Sequence, residues 1–126
     1  MPQSSKKKKN SVLEWELSRI YPFYIEKAEK KDRTQAEVDQ IIHWLFGYDD
    51  TTLKAALQNG TTFEAFLTTA APKHNQNRKL ITGVVCGVRV EEIEDKTVRE
   101  MRYLDKLIDE LARGKSMDKI LRKPAA

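Results

Sequence analysis

Five side chains of the sequence are of types that take part in catalysis, and they are widely spaced: His43, Tyr48, Asp49, Cys86 and Arg89. A histidine beside a cysteine can activate the thiol as a nucleophile, but the spacing places no histidine next to Cys86. His43 lies nearly opposite the apolar stripe of its predicted helix, which is typical of a surface histidine. Cys86, in an apolar stretch, is typical of a small core residue. Nothing in the spacing requires an active site, and a non-enzymatic protein is favoured.

Three short motifs resemble sites for a metal ion or a phosphate group, and each has a simpler interpretation. Asp49 and Asp50 are adjacent carboxylates, but no further ligands follow at a recognisable spacing, so they are predicted to cap a helix. Gly83 and Gly87 match neither a Walker A loop nor a dinucleotide-binding motif. The tripeptide GKS at 114–116 resembles the end of a phosphate loop, but the upstream glycine is missing and a helix precedes it. We predict no cofactor and no metal site.

The net charge of +4 is a property of the N-terminal tail. The chain has 23 basic and 19 acidic residues, and four of the basic residues are Lys6, Lys7, Lys8 and Lys9. We expect residues 1–10 to form a disordered basic tail, because they contain no apolar residue after Met1. This lysine run is a candidate polyanion-binding segment, or a nuclear-targeting signal in a eukaryote. The remainder is formally neutral, which argues against an extended nucleic-acid surface.

The composition is typical of a soluble globular domain. The chain has 126 residues, of which 40% are hydrophobic and 33% charged, so we expect a single helical domain over 11–126. No apolar run approaches the roughly 20 residues that span a bilayer, and the polar N-terminus does not look like a secretory signal. One cysteine excludes an internal disulfide. We therefore expect a cytoplasmic protein without a membrane partner.

The longest helical pattern runs over 95–113. Leu104, Leu107, Ile108 and Leu111 recur at the spacing of one buried helix face. Asp95 is the predicted N-cap, and the glycine at 114 is the predicted stop. On the polar face, Asp109 and Arg113 are at the i,i+4 spacing of an ion pair.

Shorter helices are predicted before and after it. One spans about 21–31 and starts near Pro22, because proline is tolerated in a first helical turn. The next begins at Thr34, with a capping box formed by Thr34 and Glu37, and ends at Gly47. Further helices are predicted over 50–59, over 62–71 with Thr61 as the cap, and after Ser116. Residues 11–19 are expected to form a helical turn or a packed arm, and residues 72–78 a polar loop with His74 in solvent.

The stretch from 80 to 93 fits two secondary structures. Its valines alternate as in a strand, but Leu80, Ile81, Val84, Val85 and Val88 also share one helical face. A single strand would leave its backbone groups unpaired. Helix is therefore favoured over strand.

Three stretches of the chain carry a family resemblance: IYPFYIEKAEKKDRTQAEVDQIIHWLFGY, LITGVVCGVRVEEIED and RYLDKLIDELARGKSMDKILRK. Over roughly 19–123 the chain resembles the domain of unknown function 2200, a family of small, mostly bacterial proteins. The resemblance implies a compact all-helical fold and no assigned activity. Together with the helical patterns, it predicts an all-α, compact orthogonal bundle of five to six short helices.

The most favoured function is a non-enzymatic protein-interaction module whose partner is a protein, either a second copy or another chain. The candidate interaction surface is a charged band that contains Arg89, Glu91, Glu92, Glu94, Arg102 and Tyr103. The first alternative is a nucleic-acid-binding module that binds weakly through Lys6–Lys9. The second is a small-ligand binder or enzyme that combines the five residues named at the outset.

Overall fold

The computed structural model describes residues 11–85 and 87–123. Over these ranges the α-helices are α1 (Ser11–Glu14), α2 (Leu17–Glu29), α3 (Gln35–Phe46), α4 (Asp50–Gln58), α5 (Phe63–Leu67), α6 (Lys96–Ala112) and α7 (Met117–Ile120). Strands β1 (Val84–Val85) and β2 (Val88–Arg89) lie between two 3-10 helices, Gln76–Leu80 and Val90–Glu92. The predicted all-α class is confirmed. The predicted tail, with its lysine run, lies outside the described residues.

Helix α6 is the element on which the others pack. Its apolar face buries Leu104, Leu107, Ile108 and Leu111 in one hydrophobic core with α2, α3, α5 and the hairpin. The Asp95 side chain accepts the backbone N–H of Val98 at 3.0 Å, so the predicted N-cap is confirmed. The helix ends before a glycine at 114 with a φ of 93°, as predicted. The periodic apolar pattern and its caps therefore specify this helix completely.

Helix α2 begins four residues earlier than predicted, at Leu17, with Pro22 inside it. A proline in a helix interior costs about 3 kcal/mol. The early start buries Leu17 and Ile20, each worth about 1.5–3 kcal/mol. It is also fixed from outside, because the Leu17 backbone N–H donates to the carbonyl of Thr61 at 2.7 Å. Tertiary packing therefore outweighs the local preference of Pro22.

Capping boxes fix the next helices. Thr34 and Glu37 form the predicted box at the start of α3, which ends at Gly47 in a left-handed conformation. Asp49 caps α4 through Thr52, as expected for an aspartate before a helix. The cap of α5 was predicted wrongly, because Thr62 rather than Thr61 accepts the Ala65 N–H. The carbonyl of Thr61 is used instead by the bridge to α2.

The favoured helix over 80–93 is wrong. Val84 pairs with Arg89, and Val85 with Val88, in an antiparallel hairpin joined by two residues. A two-residue hairpin turn needs positive φ, and Gly87 supplies a φ of 78°. The hairpin is supported by α6, because Lys106 Nζ donates to the Val84 carbonyl at 3.1 Å. Pairing and this lysine satisfy the backbone groups whose cost had favoured a helix.

No helix in the two described ranges is long and apolar enough to span a bilayer.

Candidate interaction surface

The structure gives the candidate catalytic residues separate structural roles. Tyr48 is buried, and its hydroxyl donates to the Phe66 carbonyl at 2.8 Å. Asp49 caps α4, where hydrogen bonds from the Thr52 backbone and hydroxyl lower the pKa of its carboxyl group. Arg89 forms its ion pairs on the hairpin with its own neighbours, Glu91 and Glu92. Cys86 lies outside the described residues. These contacts explain the side chains without a shared site.

His43 belongs instead to a polar cluster between α2, α3 and α4. Tyr21 donates its hydroxyl proton to Asp39 and accepts a hydrogen bond from Gln35 at 2.9 Å. Burial raises the pKa of Tyr21 above its usual value, and burial also raises the pKa of Asp39. His43 Nε2 lies 3.4 Å from a carboxylate oxygen of Asp50, beyond a well-formed hydrogen bond. Tyr21 thus links α2 to α3 through a hydroxyl group that stays protonated at neutral pH.

His74 is not the solvated loop histidine that was predicted. Its Nε2 atom lies 2.8 Å from the Leu67 carbonyl, and its ring packs edge-on against Phe46. The loop is held against the core because the Lys73 and Asn75 backbone N–H groups donate to the carbonyls of Phe46 and Leu45. Within 11–85 and 87–123, no group of three or more His, Cys, Asp or Glu residues is arranged to hold a metal ion.

The predicted charged band is only partly a surface. Arg89, Glu91, Glu92 and Glu94 are exposed, but Tyr103 is only 6% exposed and lies in the core. Arg102 is half-buried and pairs with Asp105 on the same helix at 3.0 Å. Tyr103 is therefore removed from the candidate surface. The exposed part is an acidic band, defined as Glu91, Glu92, Glu94 and Asp95.

The largest exposed apolar side chain lies elsewhere, on α2. Phe23 is 59% exposed, more than any other exposed large apolar residue that the structure describes. Lys27 follows it one turn later on α2, and Lys30 and Lys31 lie in the turn just after the helix ends at Glu29. Together with Ala112 and Arg113 of α6 they line an open groove of about 780 Å³, the α2 groove. An apolar residue ringed by cations is thus presented to solvent.

A second groove adjoins the first along α6. This α7 groove, of about 680 Å³, shares Asp109 and Arg113 with the α2 groove and adds Lys106, Lys115 and Lys119. The two grooves together are called the cationic face. Its linings contain seven cations against three carboxylates: Lys27, Lys30, Lys31, Lys106, Arg113, Lys115 and Lys119 against Glu26, Asp109 and Glu110.

Two of the three carboxylates on this face, Asp109 and Glu110, are paired with cations, and Glu26 is exposed. Glu110 is 5% exposed and receives two hydrogen bonds from Arg122, at 2.6 and 2.7 Å. Lys115 and Lys106 approach the same carboxylate at 3.5 and 3.9 Å. Asp109 pairs with Arg113 at 2.8 Å, the predicted i,i+4 pair, and with Lys27 at 3.7 Å. Lys30, Lys31 and Lys119 add charge that these carboxylates do not balance.

The net charge does not reveal this face, because a sum over the chain conceals where the charges lie. The signal was present in the spacing, since Phe23, Lys27, Lys30 and Lys31 fall on one helical side. What the sequence could not show was that α2 lies beside the last two turns of α6, which brings Arg113 and Lys115 to the same surface.

The fold and this surface define a small all-α protein with a cationic face and no recognisable catalytic constellation in the described residues. The chain belongs to the family of uncharacterized proteins conserved in bacteria known as DUF2200, whose model matches residues 11–122. This confirms the family resemblance. The chain is also similar to a solved protein, the uncharacterized protein SP1917, with a TM-score of 0.83 and 37% sequence identity. The match covers 89% of this chain and 91% of that one. No curated protein shows significant similarity to this chain.

Proposed function

We propose that this protein is a non-enzymatic interaction module that binds an acidic segment of a protein partner on its cationic face. The observation that carries the proposal is Phe23, a large apolar side chain left exposed in a groove ringed by Lys27, Lys30 and Lys31. Exposed aromatic residues with a charged rim are typical of docking sites, in which the apolar anchor supplies affinity and the rim supplies selectivity.

The charge pattern favours a peptide over a nucleic acid. The face has one exposed aromatic side chain, and three carboxylates lie within its walls. A phosphodiester backbone carries a charge at every nucleotide and would have to pass the exposed carboxylate of Glu26, whereas a protein segment places its charges individually. Lysines are flexible point charges, suited to carboxylates at varied positions. An extended or helical segment with two or more acidic residues around an apolar one fits both grooves.

The proposal is tested by selecting displayed random peptides on the full chain. We expect enrichment of peptides with acidic residues flanking an apolar side chain, and loss of their binding to Phe23→Ser and to Lys30→Glu/Lys31→Glu. The matched control is Lys54→Glu/Lys79→Glu, which changes the charge equally at exposed lysines outside the grooves. Peptides that bind the groove variants as well as the native chain would overturn the proposal.

The nucleic-acid alternative is separated by a second binding measurement. Single-stranded DNA is titrated into the native chain and into a chain with Lys6–Lys9 replaced by glutamine, across a salt series. Binding that disappears with the lysine run assigns nucleic-acid affinity to the tail and leaves the cationic face to the peptide. Binding that survives that change but is lost in Lys30→Glu/Lys31→Glu would assign the face to nucleic acid and contradict the proposal.

A further inference from the structure

We propose that the acidic segment which occupies the cationic face is the acidic band of a second copy of this chain, so that copies associate head to tail. This inference rests on the proposed function, because it names the partner of the same face. It is carried by the charge complementarity of the acidic band and the α2 groove, which lie at opposite ends of α6.

The acidic band presents its charges on a fixed backbone. Glu91 and Glu92 are exposed by 39% and 75% of their side chains, and Glu94 and Asp95 are also exposed. Glu91 accepts the Gly83 backbone N–H at 2.9 Å, and the Val90 N–H donates to the Gly83 carbonyl at the same distance. These bonds hold the segment in a 3-10 turn before binding, which reduces the entropy lost on docking.

The band also has the composition that the cationic face requires. Ile93 is half-buried, with Glu92 and Glu94 on either side of it in the sequence. Arg89 and Lys96 are the nearest cations along the chain, and Arg89 is already paired with Glu91 and Glu92. Glu14 and Glu64 line a small cleft with Asp95, so the negative field extends beyond the band.

The α2 groove lies too far from the band to meet it within one molecule. The α7 groove extends back toward the band, because Val84 of the hairpin and Lys106 line it, but the α2 groove, which holds Phe23, lies beside the last turns of α6. At about 1.5 Å per residue, the helix places Asp95 and Arg113 roughly 27 Å apart. A second copy can bring its band onto the α2 groove. Such a contact uses different patches on each copy, so it extends into a chain or closes into a ring.

The dipole of α6 explains part of the charge difference between its two ends, but it does not explain the cationic face. Acidic groups at the start of a helix and basic groups at its end are favoured by about 0.3–1 kcal/mol each, within the first and last turns. That effect accounts for Asp95 and Arg113. It gives no reason for Phe23 to be exposed, or for Lys115 and Lys119 to face the same groove from beyond the end of α6.

The inference is tested with two charge-reversed full-length variants. One carries Glu92→Lys/Glu94→Lys in the acidic band, and the other carries Lys30→Glu/Lys31→Glu in the cationic face. Sedimentation velocity at low salt is the readout, and circular dichroism verifies that each variant is folded. We expect the native chain to form concentration-dependent assemblies, and each variant alone to associate at least tenfold more weakly.

Mixing the variants gives the decisive result. Because each variant keeps one native surface, the acidic band of the groove variant opposes the cationic face of the band variant. We expect an equimolar mixture of the two to assemble as the native chain does, because the reversed band and the reversed face are also complementary, and a chain that carries all four reversals to associate again. Assembly that both variants retain, or a mixture that stays monomeric while the native chain assembles, would overturn the inference.

Failure of the inference and failure of the proposed function are distinguishable. A native chain that stays monomeric at all concentrations, yet binds selected acidic peptides through Phe23 and Lys30, would overturn self-association and retain the docking face. A native chain that neither assembles nor binds such peptides would overturn both. Lys54→Glu/Lys79→Glu, which leaves both surfaces intact, should assemble like the native chain.

Discussion

Two buried glutamates on α6 receive their counter-charges in different ways. Glu100 is paired with Arg78 at 2.9 and 3.0 Å, and the same guanidinium donates to the Asn75 carbonyl. Glu110 is paired with Arg122 and also lies within 4 Å of Lys106 and Lys115. One cation is sufficient for a buried carboxylate, as Glu100 shows. Lys106 also supports the hairpin through the Val84 carbonyl, whereas Lys115 is 41% exposed and adds its charge to the surface of the α7 groove.

The largest effect should follow from removing the single partner of Glu100. Arg78→Met leaves a carboxylate of 8% exposure with no other cation within 4 Å among the described residues, and should lower the free energy of unfolding by about 3–5 kcal/mol. Urea unfolding measures the loss. Adding Glu100→Met to Arg78→Met should recover most of it, because the uncompensated charge is then gone. No recovery in the double variant would show that the loss comes from packing.

Removing Arg122 should cost less, although its hydrogen bonds are shorter. Lys106 and Lys115 remain beside Glu110, so we expect Arg122→Met to lower the free energy of unfolding by about 1–2 kcal/mol. In a chain that also carries Lys106→Met and Lys115→Met, the loss caused by Arg122→Met should rise to the level of Arg78→Met. Equal losses for Arg78→Met and Arg122→Met in the native background would remove the distinction between the two glutamates.

Glu37 is a third glutamate that is paired with an arginine, Arg33, and it lies nearer the surface than Glu100 and Glu110. Hydrogen bonds from Arg33, followed by the cap of α3, lower the pKa of Glu37 to about 2 from an ordinary value near 4.5. A lowered pKa stabilises the fold above the ordinary value, and this contribution is lost as the pH falls from about 4.5 to 2.

Glu37→Gln tests that pH dependence. We expect a loss on the order of 1 kcal/mol at neutral pH and a shallower decline in stability between pH 4.5 and 2 than in the native chain. Thermal unfolding across this range is the measurement. If the stability of both proteins declines equally steeply between pH 4.5 and 2, Glu37 is not the group whose protonation causes the decline.

The smallest effect on stability should come from the cationic face itself. Phe23→Ser removes a side chain that is already 59% exposed, so the free energy of unfolding should change by no more than about 0.5 kcal/mol. Binding of selected acidic peptides should nevertheless be lost. Chemical denaturation and peptide binding are compared on the same preparation. A large loss of stability would mean that Phe23 supports the fold and has no separate docking role.

The fold was predictable where local signals agree with the tertiary structure. In α3 and α6 the apolar period, the N-cap and the terminal glycine all indicate the same boundaries, and the structure has them. At Pro22 the local signal opposes the packing of Leu17 and Ile20, and packing prevails. At 84–89 the valines fit both periods, and the outcome depends on Gly87 and on support from Lys106, which is distant in sequence.

The cationic face was less predictable, because it is formed by cations from separate parts of the chain that the fold brings together. Equal totals of acidic and basic residues outside the tail conceal their separation into the acidic band and the cationic face. Helical spacing could have placed Lys30 and Lys31 on one side with Phe23. It could not have shown that the C-terminal turns of α6 add Arg113 and Lys115 to that side, because this depends on how α2 and α6 pack.

The most direct test is an NMR titration of the isotope-labelled full chain with an unlabelled peptide of residues 88–97, which contains the acidic band. At low salt, amide shift changes should be confined to 23–31 and 106–119, and Phe23→Ser should abolish them. A scrambled peptide of the same charge should shift these amides much less. Shift changes centred elsewhere, such as around His43, or equal effects of the two peptides, would contradict the assignment of the cationic face as a specific docking site.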